Sequence, residues 1–289
     1  VSLGGNTVSG TGRLGPGDEP RFQFKLDTRQ FKVVPVARYI KPLREVRGGA
    51  VDFEISGKGL VDRPEEATYE GHVRLKEVGL RPEALDVFLR LNGEVFFANR
   101  VLKIRKGRVD FEKNRVRVEG KYIAHDRPEW DLEIASERLD LTRPEQKTEK
   151  PDKGKGNNKT PASGSWVAAL TGSPVFAKGS GTVLMDIDHL QLPRVRFRPF
   201  QGRFEFKEGV VSTDNLKVGR PGRDRFDIET TVRVQEDRTP EMSVRLVSTH
   251  TTPEGFFDMF GNVFDDCLTG DLERLEANLT AQGDSLDAL

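Results

Sequence analysis

Apolar and polar residues alternate along most of this chain. Between Gly71 and Tyr122, Val73 and Leu75 alternate with His72, Arg74 and Lys76, and the pairs Leu102 and Ile104, Val109 and Phe111, and Val116 and Val118 repeat the pattern among charged residues. Between Gly181 and Arg233 the alternation returns in Val183, Met185 and Ile187, then Val195 and Phe197, Phe204 and Phe206, Leu216 and Val218, and Phe226 and Ile228. A period of two puts one row of side chains on an apolar face of a strand and the next row on a polar face. The fold class predicted is therefore mainly β: an elongated, curved antiparallel sheet built from repeated strand units, with short helices at its ends or capping its groove.

Turn residues divide the pattern. Val1 to Gly15 reads as strand, turn, strand around Gly4-Gly5-Asn6, because Gly and Asn tolerate the positive backbone angles of tight hairpins. Phe22, Phe24 and Leu26 mark the next strand, and Val51, Phe53 and Ile55 the one from Ala50 to Leu60. Gly57-Lys58-Gly59 lacks the spacing and the following Ser or Thr of a phosphate loop, and reads as strand or bulge glycine. Further strands are expected from Tyr69 to Val78, Gly93 to Ala98, Val101 to Lys106, Arg108 to Phe111, Arg115 to Ala124 and Trp130 to Ala135, with turns at Lys106-Gly107 and Lys113-Asn114. Pro35 suits the start of a short helix over Val36 to Leu43.

Residues 143–164 break the alternation with Pro, Lys, Glu, Gly and Asn, the composition of a flexible linker or disordered loop. This predicts a first β segment over 1–142 and a second over 165–289, open to being continuous with the first. In the second, Val210 to Thr213 and Leu216 to Val218 read as separate short strands. After Thr252-Pro253, a good helix entrance, Phe256, Phe260, Val263 and Phe264 follow helical spacing. Two roles fit that stripe: a helix packed on the sheet end, or a lid or interface helix at a groove mouth. Leu272, Leu275 and Leu279 continue the helical spacing, with a tail strand as the alternative.

Composition narrows the chemistry. The 289 residues hold 46 Lys plus Arg and 46 Asp plus Glu, a formal net charge of zero. That argues against a general nucleic-acid binder, which needs a basic surplus, and leaves room for a local basic patch. Hydrophobic residues make up only 35%, yet 18 are Phe, so the apolar content is concentrated on one face of thin elements. A single cysteine, Cys267, excludes an intramolecular disulfide, and Asp265 and Asp266 before it disfavour a thiolate. No run of 18 apolar residues offers a membrane-spanning helix. The chain opens at Val1 directly into strand-like sequence, as a fragment or a processed chain would.

Catalytic signals are weak. His72, His125, His189 and His250 stand in no close metal spacing. Asp186 and Asp188 share a strand face while His189 takes the other, and neighbouring His125 and Asp126 point apart. No Gly-x-Ser-x-Gly elbow occurs. In Arg194 to Phe200 the arginines and the apolar residues fall on opposite faces, which does not make a stacking platform for bases. No catalytic residue, metal or cofactor is expected, and the chain reads as non-enzymatic.

An internal echo points further. Asn92-Gly93-Glu94-Val95-Phe96-Phe97 parallels Gln201-Gly202-Arg203-Phe204-Glu205-Phe206, and each is followed by a similar series of strands and turns. A one-sided strand unit cannot bury its apolar face alone, so repeated units stack into one interior.

Three runs carry a family resemblance: Val1-Ser2-Leu3-Gly4-Gly5-Asn6-Thr7-Val8-Ser9-Gly10-Thr11-Gly12-Arg13-Leu14, then Gly179-Ser180-Gly181-Thr182-Val183, and Phe200 to Leu216 with its strand, glycine turn and strand. The chain resembles the AsmA-like superfamily, which includes the TamB-type and YhdP-type envelope proteins, and would be a carboxy-terminal piece of such a protein. The resemblance implies a periplasmic protein at the inner membrane of a Gram-negative bacterium, held there by a segment outside this chain. It implies phospholipid as ligand, transfer or organisation of lipid for the outer membrane, and a partner protein of the envelope. It also implies that Phe53, Ile55, Val73, Leu75, Ile104, Phe111, Val118, Met185, Phe204, Phe206 and Phe226 line an apolar groove. The alternative function is a structural scaffold or protein-interaction module with a fully packed β core.

Overall fold

The structure, a computed structural model, describes residues 2–3, 5–16, 19–37, 44–82, 87–142, 178–192, 196–219, 225–234, 240–252 and 272–282. The chain divides into two compact units, Val1–Ala135 and Ser136–Leu289.

The first unit is built of strands β1 (Ser2–Leu3), β2 (Asn6–Thr7), β3 (Ser9–Gly15), β4 (Arg21–Lys32), β5 (Val46–Leu60), β6 (Thr68–Leu80), β7 (Leu89–Ala98), β8 (Val101–Phe111), β9 (Asn114–Ile123) and β10 (Glu129–Ser136). One four-residue helix, α1 (Val34–Ala37), and one 3-10 turn at Pro64–Glu66 interrupt them. Strands β3 to β10 form a meander in which each pairs antiparallel with the next.

The register converts sequence alternation into rows. Thr28, Phe53, Val73, Val95, Ile104 and Gly120 lie opposite one another in turn across β4 to β9. Leu26, Ile55, Gly71, Phe97, Leu102 and Tyr122 form the next row, two residues along each strand and so on the same face. The residues between them, such as Glu54, His72, Phe96, Lys103 and Lys121, share the opposite face.

Strict alternation would not hold one face apolar along strands this long, because the sequence slips phase. Bulges restore it. The register shifts between Thr28 and Phe31, between Leu75 and Val78 and between Ile104 and Gly107. At these sites Gln30, Glu77 and Lys106 take left-handed backbone angles, φ of 54°, 51° and 51°. The extra residue returns Val78 to the apolar face, where Val33, Val46 and Val78 are buried against Val51, Leu75, Leu80 and Leu91. The turn expected at Lys106-Gly107 is thus one of these bulges, and β8 runs through it unbroken.

The second unit holds β11 (Leu139–Asp140), β12 (Ser180–Ile187), β13 (Leu190–Gln191), β14 (Arg196–Phe197), β15 (Phe200–Lys207), β16 (Val210–Gly219), β17 (Arg225–Val234), β18 (Pro240–Thr251) and β19 (Leu272–Gln282). Strands β12, β15, β16, β17, β18 and β19 pair antiparallel in that order. The short strands β11 and β13 pair parallel, and β14 joins β13 antiparallel. The two short strands expected within 210–218 are one strand, β16, with an irregularity between Thr213 and Leu216.

Leu272 to Leu279 is a strand rather than a helix. Pairing with β18 satisfies its backbone, and Leu275, Ala277 and Leu279 alternate against Glu276, Asn278 and Thr280 as well as fitting a helical stripe. Short apolar runs read either way until a partner edge is available. Residues 143–164 and the stripe of Phe256, Phe260, Val263 and Phe264 lie outside the described residues. Among the described residues no helix is long and apolar enough to cross a membrane.

Candidate functional site

The apolar face of the first unit is built from large side chains laid over glycines. Phe24 lies opposite Gly57, which in turn lies opposite Tyr69. A Cβ on Gly57 would stand 2.7 Å from the Phe24 ring and 2.9 Å from the Tyr69 ring. A Cβ on Gly71 would stand 2.7 Å from the ring of Phe97, its partner on β7. Leu26 covers Gly10 in the same way, at 2.5 Å. The glycines let the rings lie down on the sheet, so the surface is broad and low in relief. The rings of Phe22 and Phe24 stack at 6.2 Å, and Phe31 meets Phe53 at 5.7 Å.

This face is open. Leu26, Tyr69 and Leu102 remain 36–37% exposed, and Leu14 on the β3 edge is 71% exposed. Phe22, Phe24, Ile55, Phe97, Tyr122 and Trp130 are half-buried. An open antiparallel sheet with exposed apolar side chains is the kind of surface that a binding or scaffold protein presents.

The groove residues expected from sequence fall in two groups. Phe53, Ile55, Val73, Leu75, Ile104, Phe111 and Val118 all lie on the apolar face of the first unit. Leu75 differs from the others by packing on the buried cluster of Val33, Val46 and Val78. Met185, Phe204 and Phe206 lie in the second unit opposite Gly202, Val183 and Gly181. Phe226 belongs to a closed core instead of an open groove. It is 0% exposed, packed with Leu216, Val218 and Leu246 beneath Phe197, Phe200, Phe204, Ile228 and Leu275. Leu26, Tyr69, Phe97 and Leu102 are not among the groove residues expected from sequence, although alternation marks Leu26 and Leu102 as strand residues. For Leu26, Tyr69 and Phe97 the signal that could have found them is a large apolar residue facing a glycine, which needs the strand register to read; Leu102 faces Phe97 and Tyr122 instead.

The opposite, polar face of the first unit carries cross-strand ion pairs. Lys25 meets Glu54 at 2.5 Å, Lys76 meets Asp52 at 2.5 Å, Arg74 meets Glu94 at 3.1 Å and Arg90 meets Glu77 at 3.2 Å. Hydrogen bonding and charge from Lys25 hold the Glu54 carboxyl below its ordinary value, and Glu54 raises Lys25 in return. Asp52 is lowered first by the backbone N–H of Gln30 and then by Lys76. A depression of about 640 Å³ lies on this face, lined by Lys25, Glu54, Glu70, His72, Phe96 and Lys103 among others. His72 stacks on Phe96 with centroids 4.3 Å apart, and its Nε2 is buried without a hydrogen-bond partner.

On the polar side of the second unit, a smaller depression of about 310 Å³ is lined by Ser212, Thr231, Ser243, Glu205, Glu229 and Arg245 among others. Arg245 is held there between Glu276 at 3.0 Å and Glu229 at 3.4 Å, which keeps the Glu276 carboxyl low. No trio of His, Cys, Asp or Glu among the described residues is placed to hold a metal ion. No protein-family model, curated protein or solved structure matches the chain.

Proposed function

We propose that this chain binds phospholipid through its acyl chains on the apolar face of the first unit, and that it carries or organises lipid without a chemical step. The observation that supports this reading is the open apolar surface on which Leu26, Tyr69 and Phe97 lie over glycines and Leu102 stands exposed beside them. Each methylene moved from water onto such a surface gains up to about 0.8 kcal/mol, so a long acyl chain has ample driving force. The same reading places the chain with the AsmA-like envelope proteins, in the periplasm beside the inner membrane, acting with a partner protein of the envelope.

The test is native mass spectrometry of the gently purified protein together with lipid extraction. Bound phospholipid that is lost in a Leu26→Gln, Leu102→Gln double variant supports the reading. A clean apoprotein mass refutes it, as does lipid retained in full by the variant. Both substituted side chains are exposed, so the variant keeps its core.

The second unit favours a different role. Its core closes on Phe226, Val218 and Ile187, at 0%, 1% and 2% exposure, which suits a scaffold or protein-interaction module. Lipid bound to a first-unit fragment but not to a second-unit fragment would assign the two roles separately, provided each fragment shows a cooperative melt.

A further inference from the structure

The outer side of β3 is an open strand edge. Among the described residues β3 pairs only with β4, and that pairing runs from Ser9 to Gly15 without a register shift. Every residue from Ser9 to Leu14 is exposed. Natural sheets blunt such an edge with charges, proline or a bulge. The strand Ser9-Gly10-Thr11-Gly12-Arg13-Leu14-Gly15 has Arg13 as its one charge and none of the other devices. The edge strand β19 of the second unit, by contrast, carries Glu273, Arg274 and Glu276. Beyond β3 the same side of β4 is closed. Asn6 Nδ2 donates to Lys32 O at 3.1 Å and the Lys32 N–H donates to Asn6 Oδ1 at 2.7 Å, so a side-chain amide stands in for a strand there.

The ladder fixes which backbone groups this edge presents. In an antiparallel pair, opposed residues alternate between those that exchange hydrogen bonds and those that do not. The N–H of Val61 donates to Pro20 O at 2.9 Å, one step beyond the pairing of Arg21 with Leu60. The even-numbered residues of β4 before its bulge therefore bond to β5, and the odd-numbered ones to β3. Lys25 and Gln23 lie opposite Thr11 and Arg13, so Thr11 and Arg13 bond inward. Gly10, Gly12 and Leu14 turn their N–H and C=O groups outward.

We infer that β3 pairs antiparallel with β3 of a second copy of this chain, about a two-fold axis at Gly12. In that register Gly12 faces Gly12, Leu14 faces Gly10 and Arg13 faces Thr11. Each outward-turned residue meets an outward-turned residue of the other copy, which completes the ladder. No like charges stand directly opposed. The side chains fit this register. A Cβ on Gly12 would meet only Gln23 O, at 3.7 Å, so the middle of the junction is clear. Leu14, 71% exposed, falls beside Gly10 of the other copy, which is overlain by that copy's Leu26. Leu14 of each copy thus covers the exposed Leu26 of the other. An unrelated strand would have to supply both a small residue opposite Leu14 and a large one beside Leu26, and β3 supplies both. This is an isologous contact, in which one patch serves both partners and the assembly closes as a dimer. Opposed residues share a face, so the apolar faces of two first units continue into one surface. The inference stands whatever that surface binds.

The experiment is sedimentation velocity of the full chain from low micromolar to several hundred micromolar, because a junction of one short strand is small. The expected result is a monomer–dimer equilibrium. Gly12→Pro spares the β3–β4 ladder, since the N–H it removes points outward, and deletes one hydrogen bond on each side of the axis. It should weaken the dimer roughly 30-fold. Leu14→Lys, at an exposed position, should weaken it roughly tenfold or more. Both variants should melt as the parent does in dilute solution, which separates loss of pairing from damage to the fold. Cross-linking then reads the register. In a Cys267→Ser background, Gly12→Cys should be joined by oxidised glutathione into a disulfide-linked dimer, because opposed bonded residues stand about 5.5 Å apart at Cα. Arg13→Cys, which faces Thr11, should be joined roughly tenfold more slowly. A monomer at every concentration, a dimer unchanged in either variant, or equal cross-linking at the two positions would each overturn the inference.

Discussion

The backbone N–H of Gln30 donates a hydrogen bond to the carboxylate of Asp52 across the β4–β5 hairpin, at 2.7 Å. Gln30 is the left-handed residue of a bulge, and its N–H has left the strand ladder. The same device recurs in the β6–β7 and β8–β9 hairpins. The N–H of Glu77 donates to Asn92 Oδ1 at 2.9 Å, and that of Lys106 to Glu119 Oε1 at 3.3 Å. In each case the first strand of a hairpin bulges, and the second supplies an acceptor from the polar face. This is the repeat unit of the first unit, and it sets the first prediction.

Asp52→Ala should destabilise the first unit by about 1–2 kcal/mol, because the freed N–H of Gln30 and the ammonium of Lys76 both lose their acceptor. Asp52→Asn should cost about half of that or less, since an amide oxygen can replace the carboxylate, as Asn92 does for Glu77. Urea unfolding of the three proteins, read as midpoint shifts, checks the order.

The pH dependence follows from the same group. Asp52 has its folded pKa lowered, so its contribution is complete above the unfolded carboxylate value of about 3.9 and is lost as pH falls through the lower folded value. Glu54, lowered by Lys25, acts in the same direction. The stability advantage of the parent over Asp52→Asn should be constant from neutral pH to about 5 and should shrink below about 4. Thermal melts at stepped pH measure it, and an advantage that grows on acidification would contradict the assignment.

Gly71→Ala should cost about 1–3 kcal/mol. The new methyl would meet the carbonyl oxygen of Glu54 at 2.6 Å and the Phe97 ring at 2.7 Å, so the ring must lift off the sheet. A change in near-ultraviolet circular dichroism should accompany the lower melting temperature, because an aromatic environment is altered.

The two units should answer differently to loss of an apolar side chain. Phe226→Ala, in the closed core, should cost about 3–5 kcal/mol. Leu102→Ala, on the open face, should cost about 1 kcal/mol or less, because that side chain is 37% exposed and leaves no enclosed cavity. Denaturant unfolding with parallel probes in each unit reads both values.

Much of the fold was legible because side chains alternate across a strand at a fixed period of two, whatever lies beside it. Phe53 and Ile55, Val73 and Leu75, and Phe204 and Phe206 announced their strands without any partner. Lys106-Gly107 misled because a left-handed residue in a bulge has the same local chemistry as one in a turn. Leu272, Leu275 and Leu279 misled because they follow a helical spacing while Leu275, Ala277 and Leu279 alternate as in a strand, and only the free edge of β18 decides between them.

The amino-acid sequence by itself determined that this protein is a β protein of one-sided strands, neutral overall, with its apolar content on thin faces. Only the tertiary structure decided which strands neighbour one another, and every functional distinction depends on that. Register put Phe97 over Gly71, set Lys103 against Lys121, and enclosed Phe226 while leaving Leu102 open. The physical reason is that alternation is a property of one strand, whereas burial, charge pairing and the contour of a face are properties of strands side by side.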